Sequence, residues 1–404
     1  MTYNRKMSIA ALMLFCASCG GGSGDSLSSA DQEALARRVK LVAAPSQTPS
    51  PSPTATSTPL PVTVSAAGYV LSPTLNGASD LLASFDIASG LQAAWGTGGI
   101  PDLYTADRSE GAFRFTCGGD GKVAQDDPLV YPNQPGKSHL HKVWGNADFS
   151  AATTPASLAA SATTNCNRTG FSLNRSSYWM PALLDDLGNV MQPNLVSVYY
   201  KRGTASSAYC DPNSAKFVGT CVSLPNQIRY VFGWNMDNPT AKVEGASWYC
   251  TGGDGLHHAN LNAVFASGCR TGDILVANTV APNCWDGKYL DTPDHRSHMA
   301  YADYSRGDGM AHCPASHPFY IPQEENKAMW TVTAAMIRAD GTSRVRLSSD
   351  DMLPGAQPGE TLHADYIESW VAGAKTMWMD NCINKGLSCS GGDLGNGKQL
   401  IGAT

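Results

Sequence analysis

The chain has 404 residues, of which 42% are hydrophobic and 15% are charged, and its formal net charge at pH 7 is −6. It has no run of basic residues, which makes nucleic acid a poor candidate partner, because such binding depends on clustered Lys and Arg. The Gly-Gly pairs at 118–119 and 252–253 lie in Cys-rich segments and not in strand-to-helix turns, so we expect no nucleotide partner either. Neutral glycans or cations fit this composition better.

The N-terminus has the features of a processed export signal. Arg5 and Lys6 form a short basic region, and residues 8–15 are mostly apolar but too few to span a bilayer, which requires about 20 residues. Small residues then precede Cys19, as in the lipobox of a bacterial lipoprotein, although Cys16 stands where Leu is usual. We therefore expect residues 1–19 to be a lipoprotein signal peptide, with Cys19 as the lipidated residue.

This interpretation places the protein outside the cytoplasm. We expect an outer-membrane or cell-surface lipoprotein that contacts the membrane only through its N-terminal lipid anchor. A periplasmic or secreted protein with an ordinary cleaved signal is the alternative.

A flexible tether follows the signal. Residues 29–42 have the spacing of a short helix, and residues 44–61 alternate Pro with Ser and Thr. Such a composition cannot build a core and stays extended. Residues 20–61 are therefore a predicted tether, and residues 62–404 a single β-rich domain, since no second linker or internal repeat is present.

Cysteine usage agrees with export. Apart from Cys16 and Cys19, ten cysteines remain, at positions 117, 166, 210, 221, 250, 269, 284, 313, 382 and 389. An even number in an exported chain predicts five disulfides. The pairs Cys210/Cys221 and Cys382/Cys389 are close enough to close small loops, whereas the other pairings stay open.

Short runs with period-two polarity predict half-buried strands. They lie at residues 111–117, 195–202, 229–235, 329–340 and 343–350. Because no strand–helix–strand rhythm is present, we predict a mainly β fold, a β-sandwich or jelly-roll-like domain with long disulfide-braced loops and a few helices. One helix is expected within residues 79–95 and another over about 365–385, with His363 and Asp365 at the N-terminus of the second.

Polar residues concentrate in four segments, which contain seven of the nine histidines. On a strand, His139 and His141 would face the same side, because side chains alternate. His295 and His298 are three residues apart and would meet on one helical turn. The four segments span residues 126–146, 284–301, 312–318 and 362–366.

The order of several motifs carries a family resemblance. They are Asp127-Pro128, Pro135-Gly136, Ser138-His139-Leu140-His141, Gly145-Asn146, Tyr178-Trp179-Met180-Pro181, Tyr199-Tyr200, Cys284-Trp285-Asp286-Gly287-Lys288, Asp294-His295-Arg296-Ser297-His298-Met299-Ala300-Tyr301, Cys313-Pro314, His317-Pro318 and His363-x-Asp365. Over about residues 103–382 the chain resembles the secreted family known as domain of unknown function 1996. Fungal relatives often carry carbohydrate-binding modules, which implies work on cell-wall or storage glycans.

A glycan-active hydrolase is the leading functional hypothesis. Glycosidic hydrolysis usually needs two carboxyl groups, and we favour Asp294 and Asp127 for them. The other candidates near the catalytic carboxyls are Asp286, Asp291, Asp365, His139, His141, His298 and His363. The expected substrate contacts are Trp144, Trp179, Tyr178, Trp285, Tyr301, Lys288 and Arg296. This mechanism requires no cofactor, and its partner would be a polysaccharide or oligosaccharide.

Two alternatives remain open. His139 and His141, with His295 or His298 and a carboxylate such as Asp365, would suit one zinc or copper ion, either in a metal-binding protein or in a metal-dependent hydrolase. A non-enzymatic carbohydrate-binding module at the cell surface is the second alternative. Serine hydrolase chemistry is not expected, because no G-x-S-x-G sequence is present.

Overall fold

The computed structural model describes residues 62–82, 85–94, 109–166 and 173–401. The predicted signal peptide, the lipidation site at Cys19 and the tether with its short helix lie outside these residues. No helix within the described ranges is long and apolar enough to cross a membrane.

Most of the regular structure in the described residues is β. The strands are β1 Val70–Leu71, β2 Leu91–Ala93, β3 Glu110–Gly118, β4 Val123–Ala124, β5 His141–Gly145, β6 Ser177–Pro181, β7 Leu183–Leu184, β8 Leu195–Gly203, β9 Thr220–Cys221, β10 Arg229–Gly233, β11 Ala246–Cys250, β12 Ile274–Val280, β13 Cys284–Trp285, β14 Tyr289–Asp291, β15 Met299–Ala300, β16 Phe319–Tyr320, β17 Gln323–Thr331, β18 Arg346–Leu347, β19 His363–Ile367, β20 Ser388–Cys389 and β21 Lys398–Leu400.

Two large sheets dominate the fold. One has the strand order β10-β19-β6-β5-β4 and the other β11-β12-β17-β8-β3-β20. Smaller sheets have the orders β15-β13-β16-β9, β1-β14, β18-β7 and β2-β21. The helices among the described residues are short: α-helices Pro155–Ala160, Leu261–Ala266 and Ala372–Trp378, 3-10 helices Ile87–Gly90, Ala334–Met336 and Asp350–Met352, and a π-helical turn Met379–Ile383.

The inner faces of the two large sheets enclose the main core. Tyr178 and Tyr366 of the five-stranded sheet stack with ring centroids 5.0 Å apart. Tyr178 also reaches Tyr200 of the six-stranded sheet, with 2.7 Å between the hydroxyl oxygens. Phe115 lies 6.4 Å from both Tyr178 and Tyr200, ring centre to ring centre. Aromatic packing across the gap therefore joins the sheets as in a sandwich.

The outer face of the five-stranded sheet is also buried. Val143, Trp179, Val231 and Ile367 form a second apolar cluster there. Because side chains alternate along a strand, Ala364 and Tyr366 of β19 enter the main core while His363 and Asp365 face this outer side. This face, under a cover of loops, positions the candidate site.

The predicted mainly β fold is confirmed, and so are the strands expected at 111–117, 195–202 and 229–235. The helix expected over 365–385 is wrong at its start, because residues 363–367 pair with two neighbouring strands and the helix begins only at Ala372. Residues 79–95 form a 3-10 turn and β2 among the described residues. Within the strand expected at residues 343–350, only Arg346–Leu347 is a strand. Of the strand expected at residues 329–340, only the first three residues belong to β17, which ends at Thr331.

All five predicted disulfides are present. The bonds join Cys117 to Cys166, Cys210 to Cys221, Cys250 to Cys269, Cys284 to Cys313 and Cys382 to Cys389. Both small loops expected from sequence spacing are closed by these bonds.

Candidate metal centre

Three imidazole rings lie together on the outer face of the five-stranded sheet. The ring centroids of His139 and His141 are 4.1 Å apart, those of His139 and His363 are 5.1 Å apart, and those of His141 and His363 are 6.3 Å apart. One ring nitrogen of each histidine lies within 4.8 Å of a ring nitrogen of both others. The pair expected on one side of a strand is therefore joined by a third histidine from a distant part of the chain.

Sheet register explains this convergence. Asp365 of β19 stands opposite Trp179 of β6, which stands opposite Val143 of β5. His363 and His141 are the first residues of β19 and β5, and each lies two residues before Asp365 or Val143, respectively. Because side chains alternate along a strand, the two histidines face the same side of the sheet as those residues. His139 precedes β5 by two residues, and its ring contact with His141 places it on that face as well.

Backbone carbonyls fix the tautomers of two rings. The Nδ1 of His141 lies 3.0 Å from the carbonyl oxygen of Asp126, and the Nδ1 of His363 lies 2.8 Å from that of Thr361. Because a carbonyl oxygen can only accept, Nδ1 carries the proton in both rings and Nε2 carries a lone pair. The Nε2 of His141 is buried without a hydrogen-bond partner, as are both ring nitrogens of His139.

Two carboxylates complete the cluster. Asp365 is 1% exposed, and neither of its carboxylate oxygens has a hydrogen-bond partner. Asp127 is also buried, and its Oδ1 accepts hydrogen bonds from the amides of Leu129 and Val130 at 2.9 Å. One oxygen from each carboxylate and one nitrogen of His141 lie within 4.8 Å of one another.

Burial keeps the imidazoles neutral. It lowers the pKa of His139 to about 2 and that of His141 to about 3, with a further reduction from the neighbouring imidazole in each case. The pKa of His363 is also well below its ordinary value for the same two reasons. Burial and the nearby Asp127 raise the pKa of Asp365 well above its ordinary value. The histidines are thus in the form that binds a metal.

The donor set suits a transition-metal ion. Neutral imidazoles and a carboxylate are ligands for zinc or copper, whereas calcium and magnesium prefer oxygen ligands. Imidazoles that bind metal usually donate their other N–H to a backbone carbonyl or carboxylate, as His141 and His363 do here. His139, His141 and His363 are therefore the residues that would hold an ion, with Asp365 as a further ligand or as a proton acceptor.

The two histidines expected from segment 284–301 do not join this ligand group. Both ring nitrogens of His298 are 3.0 Å from partners, the Thr292 hydroxyl and the Arg229 carbonyl oxygen. His295 instead directs its Nδ1 to Asp291 at 2.8 Å. The two rings were expected to meet on one helical turn, but their hydrogen bonds direct them to different partners. Neither ring belongs to the groups of ligand atoms in the centre.

Asp294 holds a turn. Its Oδ1 accepts from the Thr292 hydroxyl at 2.7 Å and from the amide and hydroxyl of Ser297 at 3.0 and 2.9 Å. Although partial burial raises the pKa of Asp294, these bonds lower it to about 2. A carboxyl so strongly held in its ionised form is poorly suited to act as a general acid. Of the two carboxyls expected to act together, only Asp127 lies in a group of ligand atoms with His141 and Asp365.

Asp286 also belongs to a turn. Its Oδ1 accepts from the amides of Lys288 and Tyr289 at 2.8 and 3.0 Å. Lys288 itself is exposed, and its carbonyl oxygen accepts from the amide of Ser72. The side chains of Asp286 and Lys288 therefore lie outside the cluster of buried histidines and carboxylates that could hold a metal ion.

The aromatic residues expected to stack on sugars are mostly in the core. Trp144, Tyr178, Trp179 and Trp285 are each 1% exposed or less. No sugar could reach these faces, so the expectation is corrected for these four. Tyr301 is partly buried and donates to the Val280 carbonyl oxygen at 2.7 Å.

Arg296 lies at the edge of the centre. Its guanidinium donates to the carbonyl oxygens of Gly233 and Trp234 and carries a charge that lowers the pKa of Asp365. The Trp234 ring lies 6.0 Å from that of His363. Sequence reasoning missed Trp234 because nothing in its local pattern distinguishes it from an ordinary residue at a strand end.

Comparison with known proteins gives a family and no named relative. No curated protein and no solved structure matches the chain significantly. One family model matches residues 127–370, a stretch that contains all five residues of the centre. The chain belongs to the family described as Domain of unknown function (DUF1996).

Proposed function

We propose that the protein is an exported metal-dependent hydrolase in which His139, His141 and His363 hold one zinc ion, with Asp365 beside it. The observation that carries this proposal is the convergence of three imidazoles next to a carboxylate that lacks a hydrogen-bond donor, with buried ring nitrogens of His139 and His141 that also lack a partner. Buried polar groups in native proteins are almost always satisfied, so such a cluster calls for a ligand.

A cation satisfies this cluster better than the alternatives. Protonation of the imidazoles is opposed by burial, which holds the pKa of His139 near 2 and that of His141 near 3. A single water molecule has only two hydrogens to donate, fewer than the acceptors present here. A divalent ion held by His139, His141 and His363 would accept electron pairs from all three nitrogens at once and would favour the ionised form of Asp365 beside it.

The chemistry follows from the ligand set. His139, His141 and His363 would hold the zinc ion, and a zinc ion held by three protein ligands would supply an activated water for hydrolysis. His139 is the partly exposed member of the centre, which provides a side from which a substrate would approach.

The substrate class is inferred from the family resemblance. Carbohydrate-binding modules attached to fungal relatives favour a polysaccharide or oligosaccharide. Five disulfides and the signal-like N-terminus favour an extracytoplasmic location, with the lipidated Cys19 as the anchor.

Metal analysis tests the proposal. Protein produced in the periplasm and purified without chelators should contain close to one equivalent of zinc or copper by mass spectrometry of the elements. His141→Ala and His363→Ala should each lose it. His258→Asn is a matched control, because His258 pairs with Asp254 at 3.0 Å and belongs to no ligand group of the centre. A wild-type protein that neither contains nor binds zinc or copper contradicts the proposal.

A paired-carboxylate glycoside hydrolase is a second candidate. Asp127 and Asp365 have oxygens within 4.8 Å of each other, and burial raises the pKa of both. Retaining glycosidases hold two carboxyl groups about 5–5.5 Å apart. Reducing-end release from a polysaccharide panel separates the two candidates: activity that survives complete chelation favours the carboxylate pair, whereas activity that requires added zinc favours the metal centre.

A further inference from the structure

We propose that His295, oriented by Asp291, is the proton-transfer residue of the metal centre. This inference rests on the proposed function, since it assigns a role in the same reaction. It concerns a histidine that is not a ligand of the ion and that the turn at 291–298 brings to the rim of the site.

The geometry of the pair is that of an oriented base. The Nδ1 of His295 lies 2.8 Å from one carboxylate oxygen of Asp291, and the other oxygen accepts from Nε of Arg229 at 2.7 Å. A carboxylate can only accept, so Nδ1 carries the proton and Nε2 carries the lone pair. Among the contacts of the described residues, Nε2 of His295 has no hydrogen-bond partner, and 19% of the side chain is exposed.

The turn that carries His295 is fastened to the edge of the sheet beside the centre. Its carbonyl oxygen accepts from the amide of Val231 at 2.9 Å, and Val231 is the cross-strand partner of Asp365. The next residue, Arg296, donates to the carbonyl oxygens of Gly233 and Trp234. Two successive residues of the turn, His295 and Arg296, are thus hydrogen-bonded to the edge strand β10 or to the residue after it, and β10 is the neighbour of the strand that carries Asp365.

The backbone of His295 is held in an uncommon conformation. Its φ is 55°, in the left-handed region that only a few per cent of non-Gly residues adopt, with Asn, Asp and His enriched among them. Residues kept in such conformations cluster at functional sites, because the strain persists only where surrounding contacts fix it. Here the amide of His295 donates to the Thr292 carbonyl at 2.8 Å while its carbonyl accepts from Val231.

The charged and titratable groups around His295 favour a proton carrier. Asp291 and Asp127 raise its pKa against the opposing effects of burial and Arg229, and His298 is a further titratable neighbour. In the hydrolytic step, Nε2 takes a proton from the attacking water as its oxygen bonds to the substrate. The same nitrogen then returns that proton to the leaving group as its bond breaks, so the imidazole ends neutral.

The test uses cobalt-loaded protein and p-nitrophenyl acetate as the probe substrate. His295→Asn removes the base while keeping a residue that tolerates the left-handed backbone. We expect the hydrolysis rate to fall at least tenfold and the acidic limb of its pH profile to change, because a base is inactive when it is protonated, with Co²⁺ affinity within threefold of wild type. Added imidazole should restore part of the rate. The control His258→Asn removes a histidine of similar exposure from another Asp–His pair and should leave the hydrolysis rate and its pH profile unchanged.

The possible failures are distinguishable. A wild-type protein that binds no Co²⁺ contradicts the proposed function and the inference with it. If wild type binds Co²⁺ and His295→Asn retains the wild-type rate and pH profile, the role of His295 is refuted while the proposed function stands. If the Co²⁺ protein hydrolyses nothing, the hydrolase activity and the role of His295 are both refuted, and only the metal site stands.

Discussion

The Nδ1 atom of His363 lies 2.8 Å from the carbonyl oxygen of Thr361, two residues earlier in the chain. The backbone therefore sets the tautomer of this ring, as the carbonyl of Asp126 does for His141. Metal-binding imidazoles are often oriented by carboxylate side chains, whose loss costs about 10–100-fold in affinity. In this centre the orienting groups are carbonyls, which side-chain substitution does not remove.

A variant of Asp126 tests this arrangement. Within the part of the chain that the structure describes, its carboxylate accepts from the exposed amide of Gly136, whereas its carbonyl orients His141. We expect Asp126→Ala to change zinc affinity less than threefold, while His141→Ala abolishes it, as measured by isothermal titration calorimetry. A loss of tenfold or more in Asp126→Ala would show that the side chain, and not the carbonyl, supports the ligand.

Zinc should stabilise the folded protein. A ligand that binds only the native state at 100 times its Kd adds about 2.7 kcal/mol to the free energy of unfolding. We expect thermal or urea unfolding of wild type to shift upward with zinc. In His363→Ala the shift should disappear. An equal shift in both proteins would place zinc elsewhere on the chain.

Any proton that zinc binding releases from the ligands should come from a carboxyl and not from an imidazole. The pKa values of His139 and His141 lie near 2 and 3, so these rings have no proton to lose at neutral pH. The pKa of Asp365 is raised well above its ordinary value by burial and by Asp127, so an ion would displace its proton. Calorimetry in buffers with different ionisation enthalpies measures the release. Asp365→Asn should eliminate it, and an unchanged release would contradict the assignment.

Glu324 should make the protein less stable as pH rises. It is fully buried between the sheets, where it accepts from the Tyr230 hydroxyl at 2.9 Å, and burial raises its pKa to about 8. The folded state therefore holds a proton that the unfolded chain releases near its ordinary pKa of about 4.5, so stability falls between about pH 4.5 and 8. Glu324→Gln should remove this decline in urea unfolding at pH 5 and pH 8. An identical decline in the variant would assign it to other groups.

Asp294 should matter for stability in the opposite pH range. Its folded pKa is about 2, below the ordinary value of 3.8, so its contribution is present above about pH 4 and is lost as pH falls through about 2. We expect Asp294→Ala to reduce the free energy of unfolding at pH 7 by about 1 kcal/mol, with zinc affinity retained. Loss of hydrolysis without loss of stability would restore Asp294 as a catalytic candidate.

The sequence predicted some features of the site because they depend on local repeats. The two-residue spacing of His139 and His141 indicates a shared face whenever the backbone is extended. His363 and Asp365 have the same two-residue spacing. However, Trp370, Ala374 and other residues further along the chain have helical spacing, so the predicted helix began too early in the sequence. Strand pairing with β6 and β10 overrides that pattern.

Other features could not be predicted because they depend on contacts between distant segments. The alignment of His363 with His141 requires β19 to lie next to β6, and no local pattern specifies which strands become neighbours. The carbonyls of Asp126 and Thr361 carry no side-chain signature at all. His295 and His298 could not be distinguished in the sequence. In the structure, His295 is hydrogen-bonded to the Asp291 carboxylate and His298 to the backbone carbonyl of Arg229.

Anomalous diffraction at the zinc edge, from crystals of protein produced in the periplasm, tests the central claim most directly. We predict one strong peak about 2.0–2.1 Å from a ring nitrogen of each of His139, His141 and His363, with a carboxylate oxygen of Asp365 nearby. Crystals grown with excess zinc and copper that show no peak among these three rings would contradict the metal centre.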